Sequence, residues 1–313
     1  MFPPSAALAA EQKRKTTIPP SPPCGKICSY EWDKKEEGKY YPLLYKTVNC
    51  PNTLHRMTHS PYPVIRPPPR RPPPELLRNF TMDDQCQISK WKYYDDTKPS
   101  LRIFRYNENQ FYSFLKLYNV TENNNNLAYR RIRPVVLALV AYKHFIHKKH
   151  VAVIGTQTPW AEALLLNLGA SKVTTVEYRE LVIADKRTTT ITPYKLAEQF
   201  LSGYGDPFDT VFTFSSLEHS GLGRYGDPIT PFGDLEATAQ VWCAVKPDGH
   251  FILAVPVPGN RNQCSIWWNG ARFYGAVRLQ HLTANWRVLD EFITHIVYQQ
   301  RIYVMQKVVL RVL

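Results

Sequence analysis

The parts of this chain that could do chemistry are a glycine closing an apolar run, an acid 22 residues further on, and a later loop crowded with polar side chains. The glycine ends the run in Val151-Ala-Val-Ile-Gly155-Thr-Gln-Thr-Pro-Trp160, where a short polar turn leads into an apolar helical pattern from Ala161. A strand–turn–helix of this kind starts a nucleotide-type α/β domain. Glycine admits a ligand close to the backbone, where no Cβ intrudes. The helix that follows directs its unpaired N–H groups and positive dipole end at the occupant. The acid is Glu177, at the end of the apolar run Val173–Val176. A carboxylate there can accept hydrogen bonds from both ribose hydroxyls of a nucleoside. Gly155, Thr156, Gln157, Glu177, Ser215 and Ser216 are therefore the expected cofactor contacts.

The loop runs from Glu218 to Asp227 and sets Glu218, His219, Arg224, Tyr225 and Asp227 beside three glycines. Function concentrates in loops carried by a rigid scaffold. Histidines titrate near neutrality, so His219 is the expected general base for an acceptor hydroxyl or amine, with Glu218 orienting it. The alternative is a histidine that holds the loop through backbone hydrogen bonds. Arg224, Tyr225 and Asp227 are expected to bind the acceptor, Arg224 through an anionic group. The alternative for Arg224 and Asp227 is an ion pair bracing the glycine turn. His219, Asp227 and Asp234 are metal ligands by type, but their spacing matches no metal-binding pattern, and no metal is expected.

These groups need an α/β body to bring them together. Strands are expected at Val151–Ile154, Val173–Val176, Thr188–Ile191, Phe208–Phe214 and His250–Val255, with a closing pair around Val288–Ile293 and in residues 302–309. Helices are expected at residues 128–147, Trp160–Leu168, Pro193–Leu201 and Leu235–Val245, the last stopped by Lys246-Pro-Asp-Gly249. This alternation implies a mainly parallel sheet with helices on both faces, and ligands outside the carboxyl ends of its strands. Residues 128–313 form this domain. Residues 76–127 are an aromatic-rich extension expected to pack on it. Residues 1–75 hold 16 of the 26 prolines and read as a disordered basic arm. Its runs Pro19–Pro23 and Arg66–Pro74 suit polyproline II, either as a stiff spacer or as a ligand for an SH3-like groove.

The turn after Gly155 lacks the glycines that let a pyrophosphate approach the backbone, which favours S-adenosylmethionine over a nicotinamide dinucleotide as the nucleoside. Lys246-Pro-Asp-Gly249 before a strand, followed by two terminal extended stretches, resembles the class I methyltransferase layout. So does Phe208-Asp-Thr-Val-Phe-Thr-Phe-Ser-Ser-Leu-Glu-His219. The run Val151–Trp160, together with Ser215–Pro228 and Pro231–Ala237, is similar to a methyltransferase-like family of unknown function first described from Caenorhabditis, over about residues 128–290. The resemblance implies a Rossmann-like, seven-stranded, mostly parallel sheet with its last strand antiparallel. It also implies S-adenosylmethionine held at Gly155, Thr156, Glu177 and Ser215. The reduced glycine loop departs from the pattern and motivates one alternative, a non-catalytic scaffold of the same fold; a second alternative, a nicotinamide-dependent oxidoreductase, is disfavoured by the same missing glycines.

Charge is uneven. Residues 1–150 carry 25 Lys and Arg against 12 Asp and Glu, whereas residues 151–313 carry 14 of each. The α/β half has no positive excess to follow a phosphate backbone, which argues against nucleic acid and for a small-molecule or glycan acceptor. No apolar run approaches the ~20 residues of a membrane span. With no clear signal peptide, the expected compartment is cytoplasmic. The six cysteines show no disulfide framework by spacing, and Cys243, in an apolar helical pattern, reads as a buried free thiol. Asn79-Phe-Thr81 and Asn119-Val-Thr121 match N-glycosylation acceptors, which matter only in a secreted chain.

Overall fold

The computed structural model describes residues 48, 50–59, 67–91, 93–97, 103–120, 127–260, 262–295 and 299–308. The chain enters with helices α1 (Cys50–His59) and α2 (Leu77–Phe80), strands β1 (Cys86–Trp91) and β2 (Ile103–Tyr106), and helices α3 (Glu108–Leu117) and α4 (Leu127–Ala141). Strands and helices then alternate through β3 (His150–Ile154), α5 (Trp160–Asn167), β4 (Lys172–Val176), β5 (Glu180–Ile183), β6 (Thr188–Ile191) and α6 (Pro193–Leu201). The series continues through β7 (Phe208–Phe214), α7 (Gly233–Ala244) and β8 (Val245–Pro256). It closes with β9 (Cys264–Trp268), β10 (Ala271–Phe273), α8 (Ala276–Leu282), β11 (Trp286–His295) and β12 (Gln299–Lys307).

Seven strands form the main sheet in the order β11-β12-β8-β7-β3-β4-β6. Strands β6, β4, β3, β7 and β8 run parallel. Strand β12 is antiparallel to both β8 and β11. The fold is thus α/β with a mixed sheet. Alternate residues of the central strands feed two cores. Val151, Val153, Ile252, Ala254, Ile302 and Val304 join the core that holds Leu139 of α4 and Leu164 of α5. Ala152, Phe251, Leu253, Val255, Tyr303 and Met305 join the core that holds Leu196 of α6 and Leu235 of α7. Burial on both faces is why these strands read as unbroken apolar runs. Helix α5 is buried throughout Ala161–Leu166, its one charged residue, Glu162, included, to which the Thr175 hydroxyl donates at 2.6 Å. Pro193 at the first position and the Thr192 hydroxyl, accepting from the Lys195 N–H at 3.3 Å, start α6. Asn107 and Gln110 start α3 with a capping box. Phe111 and Tyr118 then bury this extension in the first core.

Several expectations need correction. The helix expected over residues 128–147 ends at Ala141 and carries Pro134 in its interior. Lys246-Pro-Asp-Gly249 belongs to β8, where the pairing with β7 shifts register between Phe208 and Thr210. Asp209 accepts there from the His150 N–H and from Lys246, both at 2.9 Å. Two small sheets were not foreseen, β1-β9-β10 and β2-β5.

The arm boundary at residue 75 also moves. The Pro19–Pro23 run lies outside the described residues, but Cys50–His59 is a helix whose Leu54 and Met57 pack with Ala197 of α6. The Pro68 and Pro69 carbonyls accept hydrogen bonds from the Tyr93 hydroxyl at 3.1 Å and the Trp268 indole at 3.0 Å. The second proline run is therefore engaged at these carbonyls by aromatic donors of its own chain.

The cysteine reading is overturned too. Cys243 is not a free thiol: it is bonded to Cys50, with a Cα–Cα distance of 5.5 Å across 193 residues of sequence. Cys86 is bonded to Cys264, Cα–Cα 4.6 Å across 178 residues, where β1 and β9 pair in register. Spacing along the chain carries no signal for bonds this long-range. Each ties the entering segment to the α/β body, and loss of a disulfide typically costs about 2–4 kcal/mol. We expect a reductant to lower the urea midpoint accordingly; an unchanged midpoint would mean that the bonds do not constrain the unfolded chain.

Candidate functional site

Three strand ends meet at one cavity of about 270 Å³. Strand β3 delivers Gly155, Thr156 and Gln157; β4 delivers Glu177; β7 delivers Ser215 and Ser216; all six line it. His219, Tyr225 and Asp227 line it as well. The sheet's parallel core makes this convergence, because β3, β4 and β7 end on the same side in adjacent positions.

Gly155 sits at φ +69°, and a Cβ added there would overlap the Ser216 hydroxyl. Only glycine fits both the left-handed backbone and the contact. The turn beyond is pinned by the Thr156 hydroxyl donating to the Thr158 carbonyl at 2.6 Å and by the Tyr106 hydroxyl donating to the Gln157 carbonyl at 3.1 Å. Glu177 accepts from the Tyr178 and Arg179 N–H groups on one carboxylate oxygen, at 2.8 and 3.2 Å. Burial pushes its carboxyl up to about 7, against the pull of these donors, the Arg179 guanidinium and the Thr156 N–H. Ser215 holds φ +49°, an uncommon conformation for a non-glycine residue, and such strain clusters at functional sites.

The Ser215 hydroxyl donates to Glu218 at 2.6 Å. Glu218 itself is fully buried and is not part of the cavity wall. Burial raises its carboxyl, offset by the His219 ring and the Ser215 hydroxyl. His219 Nδ1 lies 2.5 Å from the Gly270 carbonyl. A carbonyl only accepts, so Nδ1 carries the hydrogen and Nε2 of the neutral ring is left as acceptor, 3.7 Å from Glu218. Asp227 accepts from the Gly223 N–H at 3.0 Å and the Tyr225 N–H at 3.3 Å, closing the glycine turn. Burial raises its carboxyl and these donors lower it.

Arg224 departs from expectation. It is not on the cavity wall and does not pair with Asp227; it donates to Asp96 at 2.6 Å and lies over the Tyr94 and Tyr225 rings. Its partner comes from 128 positions earlier in the chain, beyond any local pattern. Asp234 is likewise turned inward, onto Arg278 and Tyr274, and not toward His219. Met57, Tyr178 and Gln240 are among the wall residues that were not singled out. Tyr178 adjoins Glu177, a signal that could have found it. Met57 arrives only through α1, and nothing in the sequence marks Gln240 within α7.

The family described as Caenorhabditis protein of unknown function, DUF268, matches residues 148–307. No curated protein matches. Among solved structures, Burkholderia thailandensis 1,6-didemethyltoxoflavin-N1-methyltransferase, with bound 1,6-didemethyltoxoflavin and S-adenosylhomocysteine, is 16% identical. That match covers 64% of this chain and 87% of that one at a TM-score of 0.43. A proposed hemolysin of Streptococcus thermophilus is 10% identical, with 59% and 68% covered and a TM-score of 0.41. N-methyltransferase NodS of Bradyrhizobium japonicum is 11% identical, with 58% and 98% covered and a TM-score of 0.37. These likenesses are distant and bear on nothing below.

Proposed function

The chain belongs to the Caenorhabditis family of unknown function DUF268, and from that premise we propose that it is an S-adenosylmethionine-dependent methyltransferase acting on a small-molecule or sugar acceptor. The observation that carries this reading is the single cavity shared by the Gly155 turn, Glu177 and the Ser215–Ser216 pair. A seven-stranded sheet whose last strand is antiparallel, the layout of class I methyltransferases, supports it. The chain's own groups suit the cofactor. Gly155 turns at φ +69° directly against Ser216, so the β3 and β7 ends close together on the cavity wall. Glu177 lines the cavity with its Tyr178 and Arg179 donors gathered on one carboxylate oxygen, which suits a carboxylate that would hold the ribose hydroxyls.

S-adenosylmethionine, when bound, supplies an electrophilic methyl on a sulfonium sulfur. Glu177 would hold the ribose, and the Gly155–Gln157 turn and Ser215–Ser216 would border the rest. His219 Nε2 would take the proton from the acceptor's oxygen or nitrogen. Glu218, reached through Ser215 and the His219 ring, orients that pair from behind the wall. Tyr225 and Asp227 shape the acceptor side.

Glu177→Ala is expected to weaken S-adenosylmethionine binding by about 1.5–3 kcal/mol, the worth of hydrogen bonds to a charged group. Titration calorimetry reads this directly. The sign with pH follows from the raised carboxyl. Below about 7 it is protonated and a poorer acceptor, so affinity tightens as pH rises through that value. Glu177→Gln removes the dependence. A pH-independent wild type, or an alanine variant that binds as well as wild type, would contradict the role.

A second reading rests on the same geometry. The cavity is slightly smaller than the ~300 Å³ at which small-molecule sites usually begin. The Ser216 hydroxyl also crowds Gly155. A scaffold that no longer binds the cofactor has this form. Methyl transfer from labelled S-adenosylmethionine to any acceptor excludes it.

A further inference from the structure

Every cysteine among the described residues is in a disulfide. Both bonds have ordinary Cα separations for disulfides, 5.5 and 4.6 Å, and both join the entering segment to the α/β body. Two independent long-range pairings of this kind are what a chain folded under oxidising conditions shows. In a glutathione-buffered cytosol such thiols stay reduced. The expectation of a cytoplasmic chain therefore conflicts with the packing of its own cysteines.

In an oxidising secretory compartment the triplet Asn79-Phe80-Thr81 becomes a substrate, because its middle residue is not proline. The structure sets this triplet at the end of α2. Phe80 is fully buried and stands edge-on to Trp268 at 5.1 Å, which anchors the segment. Asn79 beside it is half-buried. Leu77 is 42% exposed on the same short helix, and the Arg78 side chain is 76% exposed. Asn79 thus lies on a short segment whose preceding residues, Leu77 and Arg78, reach solvent. Cys86, a few residues on, closes the segment onto β9. The second triplet begins at Asn119, but its Thr121 lies outside the described residues, so the case rests on Asn79.

We propose that this chain matures in an oxidising secretory compartment and carries an N-linked glycan on Asn79. The glycan is joined to the amide nitrogen, displacing one of its hydrogens, as the oligosaccharide leaves its lipid diphosphate carrier.

The test uses the full chain recovered from its own cells, quenched in acid and alkylated without reductant. Its digest is expected to contain the cross-linked peptides Cys50–Cys243 and Cys86–Cys264. After peptide N-glycosidase in heavy-oxygen water, residue 79 is expected as heavy aspartate. The Asn79→Gln chain is expected to migrate ahead of wild type before enzyme treatment. Alkylated free cysteines at these four positions would overturn the compartment. Cystines accompanied by an unmodified Asn79 would overturn the glycan. Both readouts come from wild-type peptides, so a poorly folding variant leaves the proposal testable. Neither depends on whether the chain transfers methyl groups.

Discussion

Asp234→Ala is expected to lower the unfolding free energy by about 3–5 kcal/mol, the usual cost of removing one partner from a buried ion pair. Asp234 is fully buried and meets Arg278 through two bonds, at 2.8 and 2.6 Å, and the Tyr274 hydroxyl at 3.0 Å. The Arg272 Nε lies 3.6 Å away. Burial pushes the Asp234 carboxyl up, but the two guanidiniums outweigh it and hold the carboxyl below the usual carboxylate range. Its contribution is thus complete above the ordinary carboxylate value and is lost as pH falls through the lowered one. Without Asp234, the two guanidiniums stay buried and lose the carboxylate they share.

The consequence reaches the cavity. Arg272 donates to the Ser220, Thr230 and Pro231 carbonyls, and Arg278 to the Pro231 carbonyl. These carbonyls bracket the loop that presents His219, Tyr225 and Asp227. The urea midpoint and S-adenosylmethionine affinity should fall together in Asp234→Ala. A stability change below about 1 kcal/mol would mean that water or another group replaces the carboxylate, and that the brace is dispensable.

Gly155→Val should be as damaging, for a different reason. A β-branched residue at φ +69° carries strain of about 1–3 kcal/mol. Forcing its methyl groups into space already held by Ser216 adds about 1–3 kcal/mol. Either the turn moves or the fold loses stability; in both cases S-adenosylmethionine binding should be lost in a calorimetric titration. The double variant Gly155→Ala with Ser216→Gly removes the overlap and keeps the strained backbone, so it should recover part of the affinity. Unchanged binding by Gly155→Val would show that the turn is not where the cofactor approaches.

The central strands were legible because they are buried on both faces. The apolar runs before Gly155 and Glu177 and at Phe208–Phe214 coincide with β3, β4 and β7, apart from one flanking residue at the start of β3 and of β4. Helix α6 was legible to the residue, since Thr192 and Pro193 mark its start chemically. Once those strands are parallel neighbours, their ends must adjoin, which is why Gly155, Glu177 and Ser215 could be grouped from sequence.

What was not legible is long-range or structurally unpatterned. The Cys50–Cys243 bond and the Arg224–Asp96 pair join residues more than a hundred positions apart. Helix α1 was hidden by the proline-rich composition around it, and Met57 on the cavity wall was hidden with it. Arg224 was misread because a charged residue in a glycine loop looks the same whether it faces a ligand or a distant carboxylate.

The most direct measurement is a crystal structure of the full chain with S-adenosylhomocysteine. The ribose hydroxyls are expected on the Glu177 carboxylate, with the thioether sulfur bordering Ser215 and Ser216 and His219 facing the vacated methyl position. A saturated crystal with no ligand density in that cavity, or with the nucleoside bound elsewhere on the surface, would contradict the account.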